Sequence, residues 1–330
     1  MARISAKDRE NVLADVAEMY YVDRLGQAEI AKQIGVTRSM VSRMLTEAHE
    51  KKIIRIHIER RFNYNQILQQ ELIDRFLLKD AIIFNKNIDD NLRYLSRLGA
   101  VAAYQIQPLL LPGITLGAAW GTALDATINA LERQFPRGIR VVQLGGALRG
   151  RNLEIDGHGV VQQLVNKLSA EGYYLNVPYI VDQPEIKESL MQVAGVKETM
   201  KLMKQCDLGL FGIGSIKLDY STFYSDGYLI ADEMRGLMDI GAVGNVCGLF
   251  FNLDGEPTAK DFQARTFTIS RRDLLKIPTR IGIAGGAGKV DAILGSLRGE
   301  YINVLITDEH TASSVLDLAK KSINSEGKKW

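Results

Sequence analysis

Cysteine, histidine and long apolar runs are scarce in this chain of 330 residues. Its two cysteines, Cys206 and Cys247, lie in apolar segments without metal-ligand spacing, which excludes a disulfide framework and fits buried, reduced thiols. With four histidines and no His/Cys cluster, no metal site is expected. No apolar run reaches the roughly 18 residues that a membrane helix needs. The opening "MARISAKDRENV" has no hydrophobic core of a secretion signal. A cytoplasmic protein without a membrane partner is therefore expected. Also missing are tandem repeats, low-complexity tracts, a G-x-S-x-G elbow and a clear acid/base pair. These absences argue against an enzyme, so no catalytic residue and no cofactor is assigned. What is present is an apolar content of 46%, ample for packed cores in one small and one large domain.

The net charge of +2 conceals an uneven distribution. Between Lys32 and Arg61 eight basic residues face three glutamates, a local excess of +5, while the chain beyond is near neutral. Such a segment suits either a polyanion partner or a solvated basic face. Within it, "QAEIAKQIGVTRSMVSRMLT" (27–46) places Ile30, Ala31, Ile34, Val36, Val41, Met44 and Leu45 where two short crossing helices would bury them. Ala31 is small at the crossing, Gly35 supplies a left-handed turn, and Thr37 suits the N-cap of the second helix. Arg38, Ser39, Ser42 and Arg43 then face outward. This spacing predicts a helix-turn-helix whose second helix enters the major groove of double-stranded operator DNA. Arg38 and Arg43 are the expected base or phosphate contacts, Ser39 and Ser42 adaptable hydrogen bonders, and Gln27 a backbone contact that fixes register. Upstream, Val12, Val16, Met19 and Tyr20 predict a supporting helix. Downstream, Ile54, Ile56 and Ile58 alternate with Arg55, His57 and Glu59, the period of a strand and a candidate wing.

Three regions follow: a DNA-binding domain over 1–61, a linker or oligomerisation helix over 62–79, and an effector domain over 80–330. In the linker, Ile67, Leu68, Leu72, Phe76 and Leu77 share one helical face, which suits a connector packed on the large domain or a dimer-forming helix. After Asp80, strands are expected at 81–84, 113–118, 139–144, 207–214, 244–251, 280–285 and 303–307. Helices are expected at 92–107, 121–134, 158–170, 185–204, 228–239, 287–298 and 309–320. The alternation predicts an α/β fold with a mostly parallel sheet, whose ligands bind beyond the carboxyl ends of the strands.

At those ends stand "LGAAWGT", with Trp120, Gly121 and Thr122; "QLGGALRG", with Gln143, Gly145 and Gly146; "GIGS", with Gly212 and Ser215; and "GGAGK", with Lys289. The last is a near miss for a nucleotide loop, lacking Gly at 283 and Ser or Thr at 290. Glycine amides, a following helix and one lysine still suit a small anion, expected to be a phosphate. Asn252 and Asp254, with Glu256, suit sugar hydroxyls or a plain turn. His158 suits the pocket, a cap or the surface.

Taken in order, "QAEIAKQIGVTRSMVSRML", "GAAWGTAL", "VVQLGGAL", "GLFGIGS", "GAVGNVCGLFFNLDG" and "AGGAGKVDAILGSLRG" resemble the SorC family of bacterial sugar-responsive transcriptional regulators, over almost the whole chain. The resemblance implies an N-terminal DNA-binding domain and a sugar-binding domain similar to ribose-5-phosphate isomerase and glucosamine-6-phosphate deaminase. It also implies homo-oligomers, dimers or often tetramers. Trp120, Gly121, Thr122 and Lys289 would surround the phosphate of a sugar, polyol or sugar-phosphate effector, and Gln143 its sugar end. Two positions depart from the family pattern, Asn245 and Asn252, where the family usually has Asp. An amide donates as well as accepts, so the effector is expected to differ from those of better-known members. The alternative function is a sugar-phosphate isomerase with an appended DNA-binding module, which the loss of carboxylates disfavours.

Overall fold

The computed structural model describes residues 6–51, 53–54, 62–85, 91–133, 136–147, 156–225 and 227–326. The chain divides into two compact units, Met1–Arg61 and Phe62–Trp330.

The smaller unit holds α1 (Ala6–Tyr21), α2 (Gln27–Gln33) and α3 (Arg38–Glu50). Leu13 and Val16 of α1, Ile30 and Ala31 of α2, and Val41, Met44, Leu45 and Ala48 of α3 are buried together, while Ile34 and Val36 pack partly buried against them. Gly35 has φ 69°, and Thr37 accepts a hydrogen bond from the Met40 amide at 3.3 Å, capping α3. Arg9 joins α1 to α3 through an ion pair of 2.7 Å with Glu47. The strand expected over 54–58 lies, beyond Ile54, outside the described residues.

The larger unit begins with α4 (Gln66–Phe76), followed by β1 (Asp80–Phe84), α5 (Asn91–Ile106), β2 (Thr115–Ala118), α6 (Thr122–Ala130) and β3 (Arg140–Gln143). Then come α7 (Gly157–Leu168), β4 (Glu171–Tyr173), α8 (Pro184–Leu190), α9 (Ala194–Met203), β5 (Leu208–Ser215), α10 (Thr222–Ser225) and α11 (Ala231–Asp239). The remainder is β6 (Gly244–Val246), β7 (Leu249–Phe251), α12 (Lys260–Ala264), α13 (Arg271–Leu274), β8 (Thr279–Ile283), α14 (Val290–Arg298), β9 (Val304–Asp308) and α15 (Glu309–Glu326). Seven strands form a parallel sheet in the order β1-β9-β8-β5-β2-β3-β4. Strand residues alternate between its two faces: Ile82, Val141, Leu210, Ile281 and Ile306 join one core, Ile83, Val142, Phe211 and Leu305 the other. Both faces are covered, so the strands read as apolar runs rather than as alternating patterns.

Three local expectations need correction. The expected strand 244–251 is a hairpin, because Cys247 (φ 52°) and Gly248 (φ 73°) form its two-residue turn. The expected helix 185–204 breaks at Val193, whose backbone is extended just before Gly195, a weak helix former. Strand β4 goes unforeseen, since "EGY" is a three-residue edge strand without periodicity. Helix α4 packs on the larger unit: Leu72 is fully buried in its core, and Glu71 pairs with Lys320 of α15 at 2.8 Å. Ile67 and Leu77 of the expected apolar face stay 81% and 89% exposed.

Candidate functional site

In the smaller unit, α3 presents Arg38, Ser39, Ser42 and Arg43 to solvent, with Met40 beside them 44% exposed. Ser39 and Thr37 share a hydrogen bond of 3.0 Å between hydroxyls at the start of the helix. Gln27 is half-buried in the first turn of α2, after the Gly26 cap. The outward side chains at the N-terminal end of α3 therefore comprise two guanidiniums, two hydroxyls and one thioether. That set can reach phosphates, base edges and a thymine methyl. The sequence reading overlooked Met40, whose exposure on an otherwise polar face was its only signal.

In the larger unit, β2 and β5 are neighbours, but the chain leaves β2 toward β3 and β5 toward β8. A crevice opens at the carboxyl ends of strands where connections diverge in this way. The cavity found there is walled by Trp120, Gly121 and Thr122 after β2, Gly212 and Gly214 of β5, and Gly285 and Lys289 after β8. The β6–β7 hairpin pairs with the protruding end of β5 and adds Asn245 and Cys247. Helix α6 starts at the cavity, and its cap Gly121 has φ 122° and ψ 165°, a conformation closed to other residues. Its first amides face the space where an anion is favoured.

Opposite stands Lys289. Its ammonium donates to the Tyr220 carbonyl at 3.1 Å, and burial pushes its pKa down to about 8. The glycine loop is braced from behind: the Gly286 amide donates to the Thr311 hydroxyl at 2.7 Å, and Thr311 donates to Asp308 at 2.6 Å. Tyr94 donates to the same carboxylate at 2.6 Å, and lies where any side chain at 285 would collide with it. Cys247 is inert, since burial pushes its thiol up to about 12.

Comparison with known proteins matches the two units to two families. The sugar-binding domain family matches residues 60–317, and the crp family of bacterial regulatory proteins matches residues 24–54. The sorbitol operon regulator of Klebsiella pneumoniae is 29% identical over 316 residues, covering 94% of this chain and 98% of that one. The transcriptional regulator LsrR of the same species is 30% identical over 315 residues, covering 94% of each chain. The crystal structure of the full-length Klebsiella regulator SorC superposes with a TM-score of 0.70 at 28% identity, covering 94% of this chain and 99% of that one. The chain belongs to the SorC family. As a SorC-family protein it is a sugar-responsive transcriptional regulator with an N-terminal helix-turn-helix. Among its described residues no helix is long and apolar enough to cross a membrane.

The SorC-family cavity collects only part of the residues singled out from sequence. Trp120, Gly121, Thr122, Gly212 and Lys289 line it. Gln143 does not: its amide donates to the Gly145 carbonyl at 2.7 Å and accepts from the Leu175 amide at 3.2 Å, so both ends are tied to backbone. Gly145 lies under the Trp120 ring, and Gly146 donates to the Phe267 carbonyl, making both packing glycines. Ser215 accepts from the Lys217 amide at 3.2 Å and is not among the wall residues. Asn252 accepts from the Asp254 and Glu256 amides at 3.1 and 2.9 Å, and Asp254 pairs with Arg298 at 3.0 Å, so this segment is a turn. His158 stacks on Tyr174 with ring centroids 4.5 Å apart. Gly214, within the quoted "GIGS", also lines the cavity, and Thr222 does so and was missed, because nothing local marks a residue that reaches a site through a neighbouring loop.

Proposed function

We propose that a small phosphorylated sugar or polyol binds this cavity and changes the affinity of the helix-turn-helix for operator DNA. The observation that carries the proposal is the half-buried Lys289 ammonium on the wall that also holds the braced glycine loop and the start of α6, at the diverging strand ends. A phosphate there would meet a cation and backbone amides together. It would also take Lys289 from the Tyr220 carbonyl, so binding rearranges the segment that carries Tyr220. A coupling of about 1–3 kcal/mol between sites changes DNA affinity roughly 5- to 150-fold.

The same protein acts as a regulator rather than an isomerase in this reading, because a carboxylate, a common base for moving a proton on a sugar, is missing from the site. Among the described residues the cavity wall carries none. It works as a homo-oligomer, which suits paired half-sites on duplex DNA and gives Ile67 and Leu77 a cover. Thermal unfolding with a panel of sugars, polyols and their phosphates tests the effector class, since a ligand bound only by the native state raises Tm. Stabilisation by phosphorylated compounds supports the reading, and stabilisation only by unphosphorylated ones overturns it.

A further inference from the structure

On the cavity wall, Asn245 is 5% exposed, and its Nδ2 has no hydrogen-bond partner. Its Oδ1 accepts from the Gly248 amide at 3.3 Å, which fixes the amide's orientation: a flipped NH2 would face another N–H. The unsatisfied group is therefore a donor. It lies over Gly214, another wall residue, where any side chain would collide with it. A buried polar group without a partner is rare in a folded protein and calls for one from outside.

The same wall carries the Lys289 ammonium, the Thr122 and Thr222 hydroxyls, the Trp120 indole and the Cys247 thiol, and no carboxylate lines the described wall. A ligand hydroxyl at Asn245 can accept from Nδ2, but its own proton must then reach a threonine hydroxyl oxygen or a backbone carbonyl, since no carboxylate is there to take it. An oxygen without a proton carries no such cost.

We infer that the effector presents a carboxylate or carbonyl oxygen to Asn245, so that a phosphorylated sugar acid is preferred over the matching phosphorylated polyol. The inference rests on the phosphate reading of the same cavity. Asn245 then selects the ligand class, while Lys289 and the glycine loop hold the phosphate.

The test measures binding of inorganic phosphate, 6-phosphogluconate and glucitol 6-phosphate to the full-length protein by titration calorimetry, for wild type, Asn245→Asp, Asn245→Ala and Lys289→Met. Wild type should bind the acid about tenfold or more tightly than the polyol, the ratio left by one unsatisfied buried donor. Asn245→Asp should reverse the order. Asn245→Ala, which adds no buried charge and keeps the fold accessible, should abolish the preference. Asn245→Asp should also weaken binding of inorganic phosphate, because its carboxylate repels an anion in the same cavity, whereas Asn245→Ala adds no such charge. Equal binding of acid and polyol by wild type, or a preference unchanged in Asn245→Ala, overturns the inference alone. Failure of all three probes to bind wild type, or undiminished binding by Lys289→Met, overturns the phosphate reading and the inference with it.

Discussion

Effector affinity should fall at alkaline pH, and Lys289 should be the reason. Lys289 is half-buried and donates to the neutral Tyr220 carbonyl, and the loss of water around its ammonium brings its pKa from 10.5 down to about 8. A bound phosphate favours the charged form and raises that pKa. Between the two values, binding takes up a proton, so affinity drops by about tenfold per pH unit above 8. At pH 9 the loss relative to pH 7 should be about tenfold. Calorimetry in two buffers of different ionisation enthalpy should show uptake approaching one proton. Lys289→Met should flatten the profile and lower affinity at pH 7 by about 1.5–3 kcal/mol, the contribution of a hydrogen bond to a charged group. Folding stability moves the other way. The unfolded chain holds more protons than the folded one between the two pKa values, so Lys289 adds stability as pH rises from about 8 toward 10.5. Loss of affinity therefore cannot be ascribed to unfolding through this residue. A wild-type affinity flat from pH 7 to pH 9.5, or a Lys289→Met profile identical to it, would refute the reasoning.

Replacing Arg43 by Ala should weaken specific DNA binding by about 1–3 kcal/mol while leaving Tm and effector affinity unchanged, because its side chain is exposed on α3; fluorescence anisotropy with labelled operator checks this. Thr37→Ala should cost about 1 kcal/mol of stability in the smaller unit through loss of the cap on the Met40 amide, seen by denaturant unfolding. Gly121→Ala should cost about 1–3 kcal/mol and displace the first amides of α6, so that effector binding falls more than Tm does. Leu72→Ala should destabilise the larger unit by about 2–5 kcal/mol, since α4 is part of its core; a change in oligomeric state without loss of stability would favour a purely associative role.

Elements governed by local chemistry were legible in the sequence. The helix-turn-helix followed from residues within a few turns of one another: Ile30, Ala31, Gly35, Thr37 and Val41 decide it without the rest of the chain. The parallel strands declared themselves as apolar runs because both sheet faces are covered. Elements set by tertiary pairing were not legible. Strand β4 exists only because β3 lies beside it, and the break at Val193 opposes a continuous helical pattern.

The candidate site divides along the same line. Gly121, Thr122 and Lys289 follow their strands directly, so position along the chain predicts their place in space. Gln143 and Ser215 end their strands and Asn252 follows β7, yet each polar side chain is consumed by backbone groups. Residue type cannot reveal whether a polar side chain is already satisfied. Asn245 shows the converse: its unsatisfied amide becomes evident only when the β6–β7 hairpin is seen against β5.

The most direct test of the switch is operator binding measured with and without a phosphorylated ligand found by thermal shift, on a duplex selected by the protein from a random pool. A change in DNA affinity of about 5- to 150-fold is expected, absent in Lys289→Met although that variant still binds the operator. A ligand that stabilises the protein through this cavity but leaves operator affinity unchanged would contradict it.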